Sequence, residues 1–271
     1  MKPNKLANRK SKYETLKRLY ETNITVDSIA EDLVVCDINE DALARKLDLT
    51  EKNYDVIGVI EGHEPIGYVE REQLGAGTIR DYVIQFNTRE IITNSTPLIQ
   101  FLHFFKERKR IFVLEKNQVT KLITAADLQK PPVRILIFGY VTLLEMNLSD
   151  VIKYRFPEHG WQGLITENRL SKAEQLYQER LAKNEDINLI ECLQISDKLQ
   201  IIMNDESLRE KFQLPSKNQW KRISNRVRDL RDKIAHSNQL GIDITWEEII
   251  DTLEECEIIL EASEELLGEP I

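Results

Sequence analysis

The chain has 271 residues, 41% apolar and 31% charged, enough to bury a sizeable core and to divide into two domains. A formal net charge of −9 and a pI of about 5.2 exclude a protein that coats nucleic acid by bulk charge, so any such contact must be local. Cys36, Cys192 and Cys256 are odd in number and widely scattered; they form neither a metal-ligand spacing nor a disulfide framework, which fits a reducing cytoplasm.

Residues 1–12 carry Lys2, Lys5, Arg9, Lys10 and Lys12 and no acid, a solvated tail or an auxiliary phosphate contact, without the apolar run of a signal peptide. A first helix is expected over residues 11–21, so that 1–23 form a basic tail and helix. From Ile24 the pattern turns short and alternating, and an internal repeat emerges. Asp55-Val-Ile-Gly-Val-Ile-Glu61 lies 54 positions before Lys109-Arg-Ile-Phe-Val-Leu-Glu115. At the same offset, the segment Ile66 to Leu74 matches Thr120 to Leu128. Each copy predicts helix, apolar strand, tight turn, second strand, then helix. Such units cannot bury their apolar faces alone and should pack on each other as pseudo-symmetric halves, residues 24–77 and 78–130. Gly75-Ala-Gly77 between them is a linker.

The second copy places Thr124 at a strand end and Asp127 at the following turn. A hydroxyl and a carboxylate there can face a ligand's phosphate and ribose, or can simply cap the local backbone. With Ile66-Gly67, this half resembles the tandem cystathionine-β-synthase-type (CBS) module, a small α/β fold that commonly senses adenine nucleotides. The family pattern is Gly, two apolar residues, Thr or Ser, two variable positions, then Asp. The second copy keeps Thr124 and Asp127 but has Lys121 for the glycine; the first keeps Gly67 but has Glu70 and Gln73. The resemblance implies one nucleotide site, near Thr124 and Asp127, with an adenine nucleotide as regulatory ligand.

Lys130-Pro131-Pro132 marks the boundary to an all-helical domain over residues 131–271, with helices expected at 133–154, 168–183, 186–204, 205–212, 216–236 and 245–267. The first of these is apolar nearly all round through Leu144, which suits a bundle core or a dimer interface. Its run from Ile135 to Leu144 is about half of a membrane span, so the chain is expected to be soluble, cytoplasmic and free of membrane contact.

The stretch from Ser216 to Ser237 carries Trp220, Ile223, Val227, Leu230 and Ile234 at helical spacing, with Leu214-Pro215-Ser216 at its start and Gly241 beyond its end. Its polar side holds Lys217, Lys221, Arg222, Arg226, Arg228, Arg231 and Lys233 against only Asp229 and Asp232. A helix so basic in an acidic chain is either a solvated face or a surface for phosphates. The last helix, Trp246 to Leu267, is acidic without a base and either competes with nucleic acid for the basic helix or forms a solubilising face. Histidines 63, 103 and 159 read as structural or solvated, and no serine elbow, phosphate loop or His/Cys metal set is present.

Arg231-Asp232-x-x-x-His236 near the end of that helix resembles the signature of the HEPN (higher eukaryotes and prokaryotes nucleotide-binding) family, over residues 133–267. The resemblance implies a dimer that brings two Arg/His pairs into one cleft and a metal-independent endoribonuclease, requiring no cofactor for catalysis, with Arg231, His236 and Asp232 as catalytic residues. Lys221, Arg222 and Arg228 would follow the RNA backbone. Five residues turn a helix by about 500°, so Arg231 and His236 lie about 140° apart and one helix makes a poor dyad by itself. The expectation is a toxin or antiviral-defence ribonuclease acting on RNA as a homodimer and controlled through the CBS-like half, an antitoxin or another regulatory protein. The alternative is a non-catalytic nucleotide-sensing adaptor that dimerises through its helices.

Overall fold

The computed structural model describes residues 11–106, 108–212, 216–236 and 239–268. The basic stretch before Ser11, the Leu214-Pro215 helix start and Ser237-Asn238 lie outside them. The chain divides into two compact units, one running Tyr20–Val133 and the other taking residues up to Leu19 and from Arg134 onward. The first is mixed α/β and the second helical. The boundary falls inside the first helix, α1 (Lys12–Asn23), whose opening turns fold with the helical unit.

The α/β unit contains β1 (Glu31–Asp32), β2 (Val35–Asp37), α2 (Ala42–Glu51), β3 (Val56–Glu61) and β4 (Glu64–Glu70). These are followed by β5 (Ile84–Gln85), β6 (Ile91–Thr93), α3 (Leu98–Phe105), β7 (Arg110–Glu115) and β8 (Gln118–Thr124). They form two four-stranded sheets, β2-β3-β4-β5 and β1-β8-β7-β6. The sequence repeat survives in the register itself. Val56 pairs with Glu70 as Arg110 pairs with Thr124, and the antiparallel ladder slips by one residue after Val59 in one copy and after Val113 in the other. A β-bulge at the same place in both hairpins is a feature of the repeat and not a local accident. Two-residue loops close the hairpins: Gly62-His63, and Lys116-Asn117 with both residues at positive φ.

The halves also trade edges. β1, near the start of the first half, pairs with β8 of the second, and β5, near the start of the second half, pairs with β4 of the first. At the helix starts Ala42 N–H donates to the carbonyl of Gly77 in the linker at 3.0 Å, and Leu98 N–H crosses to the Ile24 carbonyl of the first half at 2.9 Å. The exchange of edges accounts for Gly67, where a Cβ would stand 2.3 Å from the Ile84 carbonyl oxygen on the exchanged strand. Lys121, at the equivalent position, forms an ion pair with Asp27 at 2.5 Å. Between the sheets, Tyr68, Phe86 and Phe112 form a ring cluster with centroids 4.8–6.0 Å apart.

The helix expected after each second strand is not there. A single 3-10 turn takes its place, Arg71–Gln73 in the first copy and Asp127–Gln129 in the second. In the second, Lys130 precedes Pro131 and sits in extended backbone (φ −63, ψ 150), because the proline ring crowds the helical conformation of the residue before it.

The helical unit is built on α4 (Pro131–Arg155), α5 (Glu167–Leu181), α6 (Ile195–Asn204), α7 (Glu206–Lys211), α8 (Lys217–Ala235) and α9 (Trp246–Gly268). The expected helix over 186–204 is broken: Leu189–Cys192 is a 3-10 turn and α6 starts anew at Ile195. Two helix-start signatures follow each other here, Asn188 with Glu191 and Gln194 with Asp197, and each carboxylate accepts from its cap residue's N–H (3.2 and 3.1 Å). A capping box ends the preceding path as firmly as it begins the next. Asp197 also takes the Arg169 guanidinium at 2.7 and 2.8 Å, which covers the charge of a carboxylate otherwise buried.

Val133, Leu136, Ile137, Tyr140, Leu144, Leu148 and Ile152 of α4 are buried, and α1 packs close enough that a Cβ at Gly139 would meet Leu16 at 3.2 Å. Tyr140 donates to Glu257 of α9 at 2.5 Å, and burial followed by the negative charge of Glu257 pushes the Tyr140 hydroxyl pKa well above its usual value. Lys198 is only 3% exposed and reaches Glu145 at 3.0 Å. The apolar stretch of α4 is longer than its sequence bounds promised: by length and composition the helix could cross a membrane, and over half of that window is buried inside the protein. The opposite face is open, with Ile135, Phe138 and Met146 exposed at 60%, 54% and 45%.

Candidate functional site

The basic helix α8 forms where its sequence calls for one. The Ser216 hydroxyl caps the start by accepting from Gln219 N–H at 3.2 Å, and Trp220, Ile223, Val227 and Leu230 turn inward on one stripe. Trp220 meets Phe212 edge to face at 5.6 Å. At the far end His236 leaves the helical conformation, with its backbone N–H still bonded to the Asp232 carbonyl at 3.1 Å. The chain turns back at Gly241 (φ +79), where a Cβ would stand 2.6 Å from the Trp246 indole nitrogen, so glycine is required for both reasons.

Arg231, Asp232 and His236 are all exposed on this last turn and a half. Arg231 donates to Asp232 at 3.2 Å, and Arg228 turns to Asp229 at 3.0 Å, two pairs of adjacent residues. Lys221 and Arg228 are exposed. Arg222 is exposed too, but its guanidinium reaches Glu255 of α9 at 3.2 Å, and Arg226 stands 3.7 Å from the same carboxylate. Lys233 donates to Asp243 at 2.5 Å. The acids that hold these three cations come from α9 and the loop before it, as the charge contrast between the two helices foreshadowed.

In the α/β unit Thr124 and Asp127 are brought together and bond to each other. Thr124 N–H and its hydroxyl donate to one carboxylate oxygen of Asp127 at 2.7 and 3.0 Å, while Lys130 lies 3.0 Å from the other. Lys130 also donates to the Ile29 carbonyl at 2.5 Å and to Glu31. Burial works against its charge, but the bonds to Glu31 and Asp127 outweigh it and raise its pKa. Both oxygens of Asp127 are thus engaged within the chain, and a ligand would have to displace one of these contacts. Substituting Asp127 by alanine is expected to cost roughly 1–3 kcal/mol with no nucleotide present, because a partly buried N–H loses a charged acceptor. Faster hydrogen exchange at the Thr124 amide would report it; unchanged protection would show that the carboxylate is free for another task.

The positions equivalent to Thr124 and Asp127 are also paired. Gln73 donates to Glu70 at 2.7 Å, and Glu70 binds Arg110 of the other half. Arg110 lies over the Tyr68 ring with its guanidinium carbon 4.8 Å from the centroid. This bridge between the halves was not foreseen; the one signal was the change from Val56 to Arg110 at matched positions of an otherwise apolar repeat. Among the described residues, no group of three or more His, Cys, Asp and Glu side chains is placed to hold a metal ion.

No protein-family model matches the chain, and no curated protein matches it. Solved structures that match include CBS-domain proteins, over the N-terminal part of the chain. A CBS domain-containing protein of unknown function from Bacillus anthracis str. Ames Ancestor is 12% identical, covering 41% of this chain and 94% of its own, with a TM-score of 0.35. The CBS domain of a bacterial CNNM/CorC family Mg2+ transporter in complex with ATP is 15% identical (44% and 92% covered, TM-score 0.34). A CBS domain pair in complex with 5′-methylthioadenosine and S-adenosyl-L-methionine is 12% identical (38% and 95% covered, TM-score 0.32). At these scores the likeness carries no argument about site or ligand; the two-half architecture rests on the shared register, the matched bulges and the exchanged edge strands.

Proposed function

We propose that the chain is a metal-independent endoribonuclease of the toxin or antiviral-defence kind. In this reading its helical unit is HEPN-like and acts as a homodimer, and its α/β unit is a CBS-like regulator that answers to an adenine nucleotide or to a regulatory protein such as an antitoxin. The observation that carries it is the exposure of Arg231, Asp232 and His236 at the end of a helix whose Trp220, Ile223, Val227 and Leu230 are buried.

Cutting RNA this way needs three things. A base must take the proton from a 2′-hydroxyl, an acid must supply one to the departing 5′-oxygen, and a cation must hold the phosphoryl oxygens as charge gathers on them. One imidazole, His236, meets the first two in turn, taking the 2′-hydroxyl proton and handing it to the departing 5′-oxygen. A guanidinium offers two parallel N–H donors to a phosphate. Asp232, already bonded to Arg231, orients that fork. Because Arg231 and His236 point about 140° apart around α8, the working pair is Arg231 of one chain with His236 of the second.

The test is direct. Purified full-length chain is incubated with single-stranded and structured RNAs in EDTA, and products are examined for 2′,3′-cyclic phosphate ends. Cleavage abolished by EDTA, or products with other ends, would overturn the mechanism.

One observation favours a second reading, in which the helical unit only assembles and recruits. The open apolar face of α4, Ile135, Phe138 and Met146, is the sort of surface that proteins cover with a partner. RNAs left intact by the unsubstituted chain, together with measurable adenine-nucleotide binding, would favour that adaptor.

A further inference from the structure

We infer that an RNA strand lies along one flank of α8, Lys217, Lys221, Ser224, Arg228 and Arg231, and that Arg222, Arg226 and Lys233 on the other flank take no part in holding it. The inference rests on the RNA reading above, and it divides a set of cations that the sequence presented as one surface.

At about 100° per residue, positions 217, 221, 224, 228 and 231 fall within an arc of about 80°, while 222, 226 and 233 cluster about 160° away. The second cluster is already satisfied: Glu255 faces both arginines, at 3.2 and 3.7 Å, and Asp243 takes Lys233 at 2.5 Å. An RNA phosphate arriving there would displace a carboxylate for each contact it made. The first cluster is open. Lys217 and Lys221 are exposed and form no ion pair among the described residues, and Arg228 and Arg231 meet only the aspartates next to them in sequence.

The placing of these residues does nothing for the helix itself. Lys217 stands in the first turn, where the helix dipole disfavours a cation and where α8 has no acid. Lys217 with Lys221, and Arg228 with Arg231, are like-charge neighbours at the spacings where side chains meet. A flank that sets like charges together over 14 residues, about 21 Å, is complementary to a polyphosphate and to little else in the chain. It ends at Arg231, nearly a turn and a half before His236, so the same strand would reach the arginine of the proposed cutting pair. A compact acidic protein would not need that linear spacing.

The experiment uses the full-length His236→Ala chain, so that RNA stays uncut, and a fluorescent single-stranded RNA titrated over a range of NaCl concentrations. The Lys221→Gln/Arg228→Gln pair is expected to flatten the slope of log K against log salt by about 1.4, near 0.7 for each cation removed. The Arg222→Gln/Arg226→Gln pair is expected to leave the slope unchanged. Slope changes that follow Arg222 and Arg226, RNA that does not bind at all, or poly-glutamate bound as tightly as RNA would each overturn the inference. The two failures are separable. If the slopes follow Lys221 and Arg228 while the unsubstituted chain cuts nothing, the track stands and the nuclease falls. If RNA is cut but the slopes follow Arg222 and Arg226, the reverse holds.

Discussion

Alanine at position 236 is expected to slow RNA cleavage by roughly 10²–10⁴-fold, the usual worth of a positioned acid–base group. The fold should be untouched, since His236 is exposed and its tie to α8 is made by its backbone N–H. The sharper form of the result is complementation. An inactive His236→Ala chain keeps Arg231, and an inactive Arg231→Ala chain keeps His236. If the working pair is formed between chains, mixing the two restores one complete pair in each mixed dimer. Random assortment makes half of the dimers mixed, with one of two pairs complete, so about a quarter of the original rate returns; the requirement for both groups follows from their angular separation on one helix. Recovery of nothing on mixing, with both variants shown to exchange subunits, would mean that each chain works alone or that these residues do not cut RNA.

Much of this architecture was legible because it is written in short-range patterns. The hairpins of the α/β unit could be located from the offset between Asp55–Glu61 and Lys109–Glu115, since register in an antiparallel pair follows which side chains must face inward. The bounds of α8 and α9 followed from periodicity and from Ser216 and Gly241. What the pattern could not carry was long-range. β1 and β5 are two residues each, too short to show alternation, so the exchange of edges between halves left no trace beyond Gly67. The helix expected over 186–204 failed because Asn188 and Gln194 are both helix starts, a conflict visible in the sequence but overridden there by apolar spacing. Thr124 and Asp127 read as a ligand site or as local caps, and the engagement of both carboxylate oxygens depended on Lys130, which the sequence places one helical turn along without saying where its ammonium goes. The division of α8's cations was likewise hidden: Glu255 is one of nine acids in α9, and only packing selects it.

The largest loss of stability in the α/β unit is expected from Phe112→Ala, roughly 3–5 kcal/mol for a fully buried aromatic ring. The size follows from how the two halves have diverged. Phe112 occupies the position equivalent to Gly58; Gly58 is paired in register with Tyr68, and Phe112 with Leu122. One half therefore sets a large ring beside no side chain, and the other a large ring beside a medium one. Tyr68 meets Phe112 across the junction at 4.9 Å, and Phe86 closes on Phe112 edge to face at 4.8 Å. The halves are complementary in volume, so space freed by removing Phe112 cannot be refilled by a symmetric neighbour. Nor can the loss be repaired from the other side, because a Cβ at Gly58 would already stand 2.7 Å from Leu33 Cδ2. Tyr68→Leu made together with Phe112→Ala should cost less than the sum of the two, as the rings share one contact. All three tryptophans lie in the helical unit, so their fluorescence does not report on this site; hydrogen exchange at the β3 and β7 amides does. Protection that falls by less than about 1 kcal/mol would mean that the exchanged strands, and not this ring cluster, hold the halves together.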